Sequence, residues 1–289
     1  MSGSPAVLRA ARPRDVGSIA DVIVANDEPP PGEPAMPAAA LLPYIEHVVR
    51  HGQAVVAEVD GEVVGFGAGI SNGRFTHVAD LYVMPSHHGT GLGGRLLADA
   101  LGEAWPRTTF SSDDPRAMPL YARAGMAALW PNLYLSGDPG SLPRDGGLDV
   151  SDTSFEEIAR LEAEWFGFDR AALVTFWQTL PDGRAVVVRD GSAVVAAAIV
   201  RRRLASAGGW VDRASVAPDA DPVPPLLAIL RVRPRGDAQG ELGACVPGPS
   251  PLLPIMLNAG YRVRDRDTFM SSDPSLLDPH RHLPNAGIL

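Results

Sequence analysis

Residues 79–100 read ADLYVMPSHHGTGLGGRLLADA. Leu81, Tyr82 and Val83 form a β-favouring apolar run, and Pro85 ends it. Gly89, Gly91, Gly93 and Gly94 supply a backbone that bends sharply and lets a ligand approach closely. Leu92, Leu96, Leu97 and Leu101 then recur at helical spacing. The stretch predicts strand, glycine-rich turn and helix, with unpaired N–H groups converging at the positive end of the helix dipole. That is an anion site, and phosphate is its usual occupant. A P-loop is excluded, because Arg95 and Leu96 follow where Lys and Ser/Thr are required. A dinucleotide fingerprint is formally present at Gly89, Gly91 and Gly94, with Asp113 about 20 residues on, after a strand at Thr108–Ser111. However, Pro85-Ser86-His87-His88 separates the glycines from their strand, and that strand follows a hairpin. An ordinary tight strand–helix turn is the plainest alternative.

The chain has 289 residues, 45% of them hydrophobic, enough for one or two domains with real cores. Its one cysteine, Cys245, excludes an internal disulfide and suits a reducing compartment, so a cytoplasmic protein is expected. The first residues, MSGSPAVLRAARPRD, lack the apolar run of a signal peptide, and no stretch reaches the ~20 apolar residues of a membrane span. A net charge of −9 argues against a nucleic-acid footprint and mildly favours a cationic small molecule. All 25 basic residues are arginine, a mark of genome composition and not of function.

Ahead of the glycine stretch the pattern predicts a strand at Ala6–Ala11 and a helix at Val16–Ala25. A proline-rich loop, Asn26–Pro37, and a second helix over Ala38–Arg50 follow. Asp60-Gly61, between AVVA and VVGF, is a strong hairpin signal. A third strand over Thr76–Val83 leads into the glycines. After them come the strand at Thr108–Ser111, a helix containing Tyr121, and a closing strand at Asn132–Leu135.

VMPSHHGTGLGGRLL resembles the acyl-coenzyme-A pyrophosphate loop of the GNAT N-acetyltransferase superfamily. Val83, Pro85, Gly91 and Gly93 match its pattern, and His88 stands where Arg or Gln is usual. Asp114 to Met126 resembles the family's second motif. Ala117, Tyr121 and Gly125 are in register there, Asp114 replaces Asn, and Met126 replaces Phe. The resemblance covers roughly residues 6–135 and implies that acetyl-CoA is the cosubstrate and a primary amine of a small molecule the acceptor. It implies cofactor contacts from Leu81, Tyr82, Val83, His88, Gly89, Thr90, Gly91, Leu92, Gly93, Gly94, Arg95, Asp114 and Tyr121. Tyr121 is implied as the acid that protonates the leaving thiolate. Asp80 is the first candidate for the base and His77 the second. Backbone N–H groups near Tyr82 and Val83 are implied as the oxyanion donors. Asp27 and Glu28 lie where a cationic amine would be recognised, although charges in such a loop are usually just solvated. No metal is expected, and His87-His88 reads as a solvated loop pair.

Ser136–Gly147 reads as a linker. Beyond it, Ser154–Trp165 predicts a helix capped by Ser154, a further helix runs from Gly167 to about Thr179, and Ala185–Ile199 a hairpin. AVVVRDG (185–191) echoes AVVAEVDG (54–61), and PIMLNAGY (254–261) echoes PLYARAGM (119–126). Met256 takes the tyrosine position, and Ser215–Leu227 has prolines where glycines are needed. The expected fold class is α/β (α+β): two GNAT-like domains, each a mixed, mostly antiparallel sheet flanked by helices. The first spans 1–138 and binds acetyl-CoA; the second, 147–289, is degenerate. The tail, DPHRHLPNAGIL, reads as a frayed terminus. The activity expected is N-acetyl transfer by direct attack in a monomer or homodimer, with no nucleic-acid or membrane partner. A non-catalytic acyl-CoA-binding sensor is the alternative.

Overall fold

Asp60 and Gly61 take φ values of 50° and 87°, the pair of positive angles that a two-residue hairpin turn demands. They join β2 (Gln53–Val59) to β3 (Glu62–Ser71). The computed structural model describes residues 5–26, 35–144, 146–236 and 240–289. In the first half β1 (Val7–Ala10), α1 (Val16–Val24) and α2 (Ala38–His51) precede this hairpin. Then come β4 (Thr76–Val83), α3 (Leu92–Leu101), β5 (Arg107–Ser111), α4 (Ala117–Arg123) and β6 (Ala127–Gly137). The second half repeats that order element for element. It runs β7 (Asp149–Asp152), α5 (Phe155–Phe166), α6 (Leu173–Trp177), β8 (Arg184–Asp190), β9 (Ala193–Arg202) and β10 (Gly209–Val216). α7 (Val223–Ile229), β11 (Leu242–Pro247), α8 (Leu252–Asn258) and β12 (Arg262–Ser271) follow, and then a short β13 (His282–Leu283). Among the described residues, no helix is long and apolar enough to cross a membrane.

The two halves exchange their last strands. The sheet runs β1-β2-β3-β4-β5-β12-β6-β11-β10-β9-β8-β7, so β12 lies against β5 and β6 lies against β11. The segment read as the first half's closing strand is a strand, but it completes the second half's sheet. Its alternating side chains fit either neighbour, and pairing with β12 and β11 satisfies both of its edges. Phe269 of β12 stacks on Trp130 of β6, with ring centroids 4.6 Å apart, at this crossing. Among the described residues only β4–β5 and β10–β11 pair in parallel; the other pairings are antiparallel.

Glycines at alternate positions of β3 set the depth of α3. Leu96 and Ala100 of α3 lie against the face that carries Gly65, Gly67 and Gly69. A Cβ at Gly69 would come within 2.5 Å of the Ala100 carbonyl oxygen. The bare strand face lets the helix sit closely, and Leu92, Leu96, Leu97 and Leu101 bury their side chains there. Each contributes on the order of 1.5–3 kcal/mol. The start of α3 is thereby fixed relative to β4.

Two expectations need correction. The helix expected from Gly167 to Thr179 is a true helix only over Leu173–Trp177, preceded by turns. Ser136–Gly147 is not a free linker. β6 runs to Gly137, Asp138 caps a 3-10 turn at Pro139–Ser141, and Leu142 is buried in the second half's core. Ser154 does cap α5, accepting from the Glu157 amide at 3.1 Å.

Candidate active site

β4 and β5 pair at Thr76–Arg107, His77–Thr108 and Val78–Thr109, and then part. β5 continues against β12, leaving a wedge between the two parallel strands. A bulge marks the parting: Val78 faces Gly69 and Asp80 faces Ala68, so Ala79 is the extra residue. A bulge re-aims the side chains that follow it. Asp80 sits there, 8% exposed. The Tyr44 hydroxyl, on α2, donates to Asp80 Oδ2 at 2.6 Å. Burial pushes the Asp80 carboxyl up to about 6, with the Tyr44 hydrogen bond acting in the opposite direction.

His77 has no free nitrogen. Its Nε2 bonds the Ala286 carbonyl at 2.8 Å, and its Nδ1 bonds Thr108 Oγ1 at 3.0 Å. Burial pushes the ring down to about 4, so it is neutral. Of the two candidate bases, Asp80 is the one the wedge presents.

The glycine loop follows β4 through a 3-10 turn at Pro85–His87. Gly89 and Gly91 take φ of 75° and 78°, and Gly91 is the N-cap of α3. A side chain there would be strained. Among the described residues, the amides of Gly89 to Gly94 have no backbone acceptor. Leu92 and Gly93 open the helix, where N–H groups lack intrahelical partners. Thr90 Oγ1 donates to the His87 carbonyl at 2.8 Å, closing the turn from outside. The loop therefore presents a set of donors that no backbone oxygen of the described residues satisfies, which fits a diphosphate.

His88 braces this loop. Its Nε2 bonds the Val83 carbonyl at 2.8 Å, and its Nδ1 lies against Arg116 Nη1. Arg116 in turn grips Asp114, whose Oδ2 lies 2.6 Å from Nη2, and the guanidinium holds that carboxyl below its ordinary range. Asp114 thus anchors an arginine beside the loop. Arg116 escapes the sequence reading, because one arginine among 25 carries no signal. Arg95 donates to the Ala6 carbonyl at 3.2 Å and ties α3 to the start of β1.

Tyr121 projects from α4 into a cluster of Val78, Leu97, Leu101, Met126 and Met270 and is 6% exposed. Burial raises its phenol well above the ordinary value, and the ring reaches toward Thr109, the last β5 residue paired with β4, whose own hydroxyl donates to the Val78 carbonyl at 3.1 Å. Tyr121 and Asp80 are near enough that the carboxylate's charge contributes to this shift. Leu81, Tyr82 and Val83 form the β4 arm of the wedge beyond the bulge. Asp27 and Glu28 lie outside the described residues.

The second half carries a counterpart of every part, altered. β10 and β11 pair at Gly209–Leu242, Trp210–Gly243 and Val211–Ala244, and then part. The bulge residue is Asp212, so Arg213 stands at the place of Asp80. Arg213 is buried, with Nε 3.0 Å from Glu162 Oε1. Met256 takes the place of Tyr121 and is fully buried. The second wedge is filled by the chain itself: β13 lies along β10, with His282 opposite Ser215 and Leu283 opposite Ala214.

The tail is not frayed. From β13 it crosses to the first half, where Ile288 and Leu289 are each 2% exposed. Its Ala286 carbonyl meets His77, the Gly287 carbonyl lies 3.4 Å from the Tyr44 hydroxyl, and Arg170 donates to Leu289 O. Pro, His, Asn and Gly in DPHRHLPNAGIL read as loop formers. Partners distant in sequence order them here. A shallow groove of about 580 Å³ lies elsewhere, lined by Arg9, Val49, Gln53, Ala98, Asp99 and Gly102. It sits at the far end of α3, about 15 Å along the helix from the glycine loop.

Residues 20–126 match the acetyltransferase (GNAT) family. No curated protein matches the chain significantly. Among solved structures, a putative acetyltransferase from Pyrococcus horikoshii is 14% identical with a TM-score of 0.71, over 100% of this chain and 96% of that one. A GCN5-related N-acetyltransferase from Sphaerobacter thermophilus is 17% identical with a TM-score of 0.59, over 95% and 98%. A tandem GNAT protein from the clavulanic acid biosynthesis pathway is 16% identical with a TM-score of 0.59, over 94% and 100%. At such identities the likeness is one of fold.

Proposed function

We propose, for a chain whose residues 20–126 match the GNAT acetyltransferase family and which shares the fold of a tandem GNAT protein over 94% of its length, that it is an N-acetyltransferase. Its donor would be acetyl-CoA and its acceptor the primary amine of a small molecule. The observation that carries this reading is the convergence of three features on one wedge. The donor-rich glycine loop lies at its mouth, Asp80 on one arm and Tyr121 beside the other.

Acetyl-CoA supplies a thioester whose carbonyl carbon the amine attacks. The amides of Gly89 to Gly94 would hold the diphosphate, and Arg116, braced by His88 and Asp114, adds a cation beside it. An aliphatic amine has a pKa near ~10 and arrives as an ammonium. Asp80 accepts one proton, directly or through water, and so frees the lone pair that forms the N–C bond; the second proton leaves the nitrogen as the tetrahedral intermediate collapses and replaces the one Tyr121 gives up. The Val83 amide of β4, past the bulge and turned away from β3, serves the developing oxyanion. As the C–S bond breaks, Tyr121 gives the thiolate a hydrogen bond and then its proton. The Asp80 carboxyl, at about 6, is ionised at neutral pH, and the Tyr121 phenol is protonated, so each group rests in the state its role requires.

The net charge of −9 supports a cationic acceptor. The test is thiol release from acetyl-CoA across a panel of small amines. Amine-dependent release that falls in Tyr121→Phe with acetyl-CoA affinity kept supports the transferase. Tight acetyl-CoA binding with no release from any amine favours the sensor reading.

A further inference from the structure

We propose that residues 284–289 are a positioning strap, in which Gly287 holds the Tyr44 hydroxyl on Asp80. The proposal rests on the reading of Asp80 as the proton acceptor. The Tyr44 hydroxyl has one proton to give and two oxygens near it: Asp80 Oδ2 at 2.6 Å and the Gly287 carbonyl at 3.4 Å. The Gly287 backbone packs closely against the hydroxyl end of the ring. A Cβ at Gly287 would come within 3.1 Å of the Tyr44 hydroxyl and 3.3 Å of its Cζ. These contacts are tighter than ordinary van der Waals packing, so the phenol would have to move. An alanine there would press the phenol by a few tenths of an ångström from the place where it meets Asp80. On its other side the ring meets Phe176 of α6 edge-on, with centroids 6.2 Å apart.

The strap is anchored well enough to impose a position. Asn285 Oδ1 accepts from the amides of Gly287 and Ile288 at 2.9 and 3.1 Å, which fixes the turn that presents Gly287. Asn285 Nδ2 donates to Asp212 at 3.1 Å, and Asp212 is itself paired with Arg201 at 2.7 Å. Upstream, β13 is locked in the second wedge. Downstream, Arg213 and Arg170 share the single carboxylate of Glu162 and donate on to the carbonyls of Ile288 and Leu289. The second half lacks a glycine loop, yet it supplies both the strap's anchorage and Phe176. Its contribution to the site is positional.

The groups facing Asp80 are few. Tyr44 comes from α2 and Tyr121 from α4, and Tyr82, on the same strand, acts on Tyr44. The facing residue of β3 is Ala68, and His77 is neutral and tied to the strap. A change in Asp80's titration on altering Gly287 therefore reports on Tyr44. The Tyr44 bond favours the ionised carboxylate, so losing it raises the midpoint, by about one pH unit for one hydrogen bond.

The experiment follows the Asp80 carboxyl by carbon NMR of aspartate-labelled protein against pH, beside the pH dependence of thiol release. Tyr44→Phe, Gly287→Ala, Asn285→Ala and the double variant Tyr44→Phe/Gly287→Ala are compared. Each single change is expected to raise the Asp80 midpoint, and the double variant to match Tyr44→Phe alone. A Gly287→Ala protein with wild-type melting temperature and an unmoved midpoint overturns the strap, as does a double variant whose shift is the sum of the singles. If Gly287→Ala does not fold, Asn285→Ala decides in its place: it loosens the turn without adding bulk, and an unmoved midpoint there overturns the strap equally. The NMR midpoint needs no turnover. Asp80→Asn with undiminished turnover sinks the proton-acceptor reading, while the midpoint still judges the strap.

Discussion

The Tyr44 hydroxyl meets Asp80 Oδ2 across 2.6 Å, joining the second helix of the chain to the bulge of its central strand. The bond ties two residues 36 positions apart at a carboxylate that burial pushes up to about 6. If Asp80 takes the proton, the rate must fall on acidification. The acid limb of kcat/KM is expected near pH 6, with the carboxylate active above it. Asp80→Asn is expected to lower turnover by about 10²–10⁴-fold.

The same carboxyl bears on stability, with a sign that can be worked out. Its folded pKa lies above the unfolded value of 3.8, so the folded state binds the proton more tightly. The stability this contributes is present below about pH 4 and lost by about pH 6. Asp80→Asn is therefore expected to raise the melting temperature relative to wild type more at pH 8 than at pH 4. Thermal scans at both values check it, and a difference in the opposite sense contradicts the burial argument.

Tyr121→Phe keeps the ring in its apolar cluster and removes only the hydroxyl. The expected outcome is a fall in kcat of about 10²-fold with unchanged acetyl-CoA affinity. Rate assays beside a binding titration separate the two.

Glu162 is the one carboxylate between Arg170 and Arg213, all three buried. Burial opposes its charge, but the two arginines bring its carboxyl down to about 2. Glu162→Ala leaves two buried cations with no carboxylate between them and is expected to destabilise the protein by about 3–5 kcal/mol. Arg160→Ala, on an exposed pair with Glu157 and Glu164, is expected to change denaturant midpoints negligibly.

The first half of this architecture is legible in local sequence. Glycines at 89, 91, 93 and 94, a proline ahead of them and leucines behind them fix a loop by short-range geometry. Asp60-Gly61 fixes a hairpin in the same way. The alternate glycines of β3 are also readable in principle: Gly65, Gly67 and Gly69 share one strand face and so announce a helix lying close upon it. The exchange of β6 and β12 is not legible, because AALWPNLYLSG alternates in a way that suits several neighbours. The tail is illegible for a related reason. Its order comes from residues as far away as Tyr44, 243 positions from Gly287, and no periodicity encodes them. Tyr44 itself reads as one more apolar residue of α2, and only the bulge at Ala79 brings Asp80 to it.

The most direct test of the account is calorimetric titration of the whole chain with acetyl-CoA. The first wedge has a glycine loop, whereas the second lacks one and is filled by His282–Leu283. One equivalent is therefore expected to bind. Gly91→Val should abolish binding at a modest cost in melting temperature, because a β-branched residue is strained at a φ of 78° and its side chain projects into the open space at the loop where the diphosphate would lie. No binding, two equivalents, or undiminished binding by Gly91→Val would contradict the assignment of the donor site to residues 89–94.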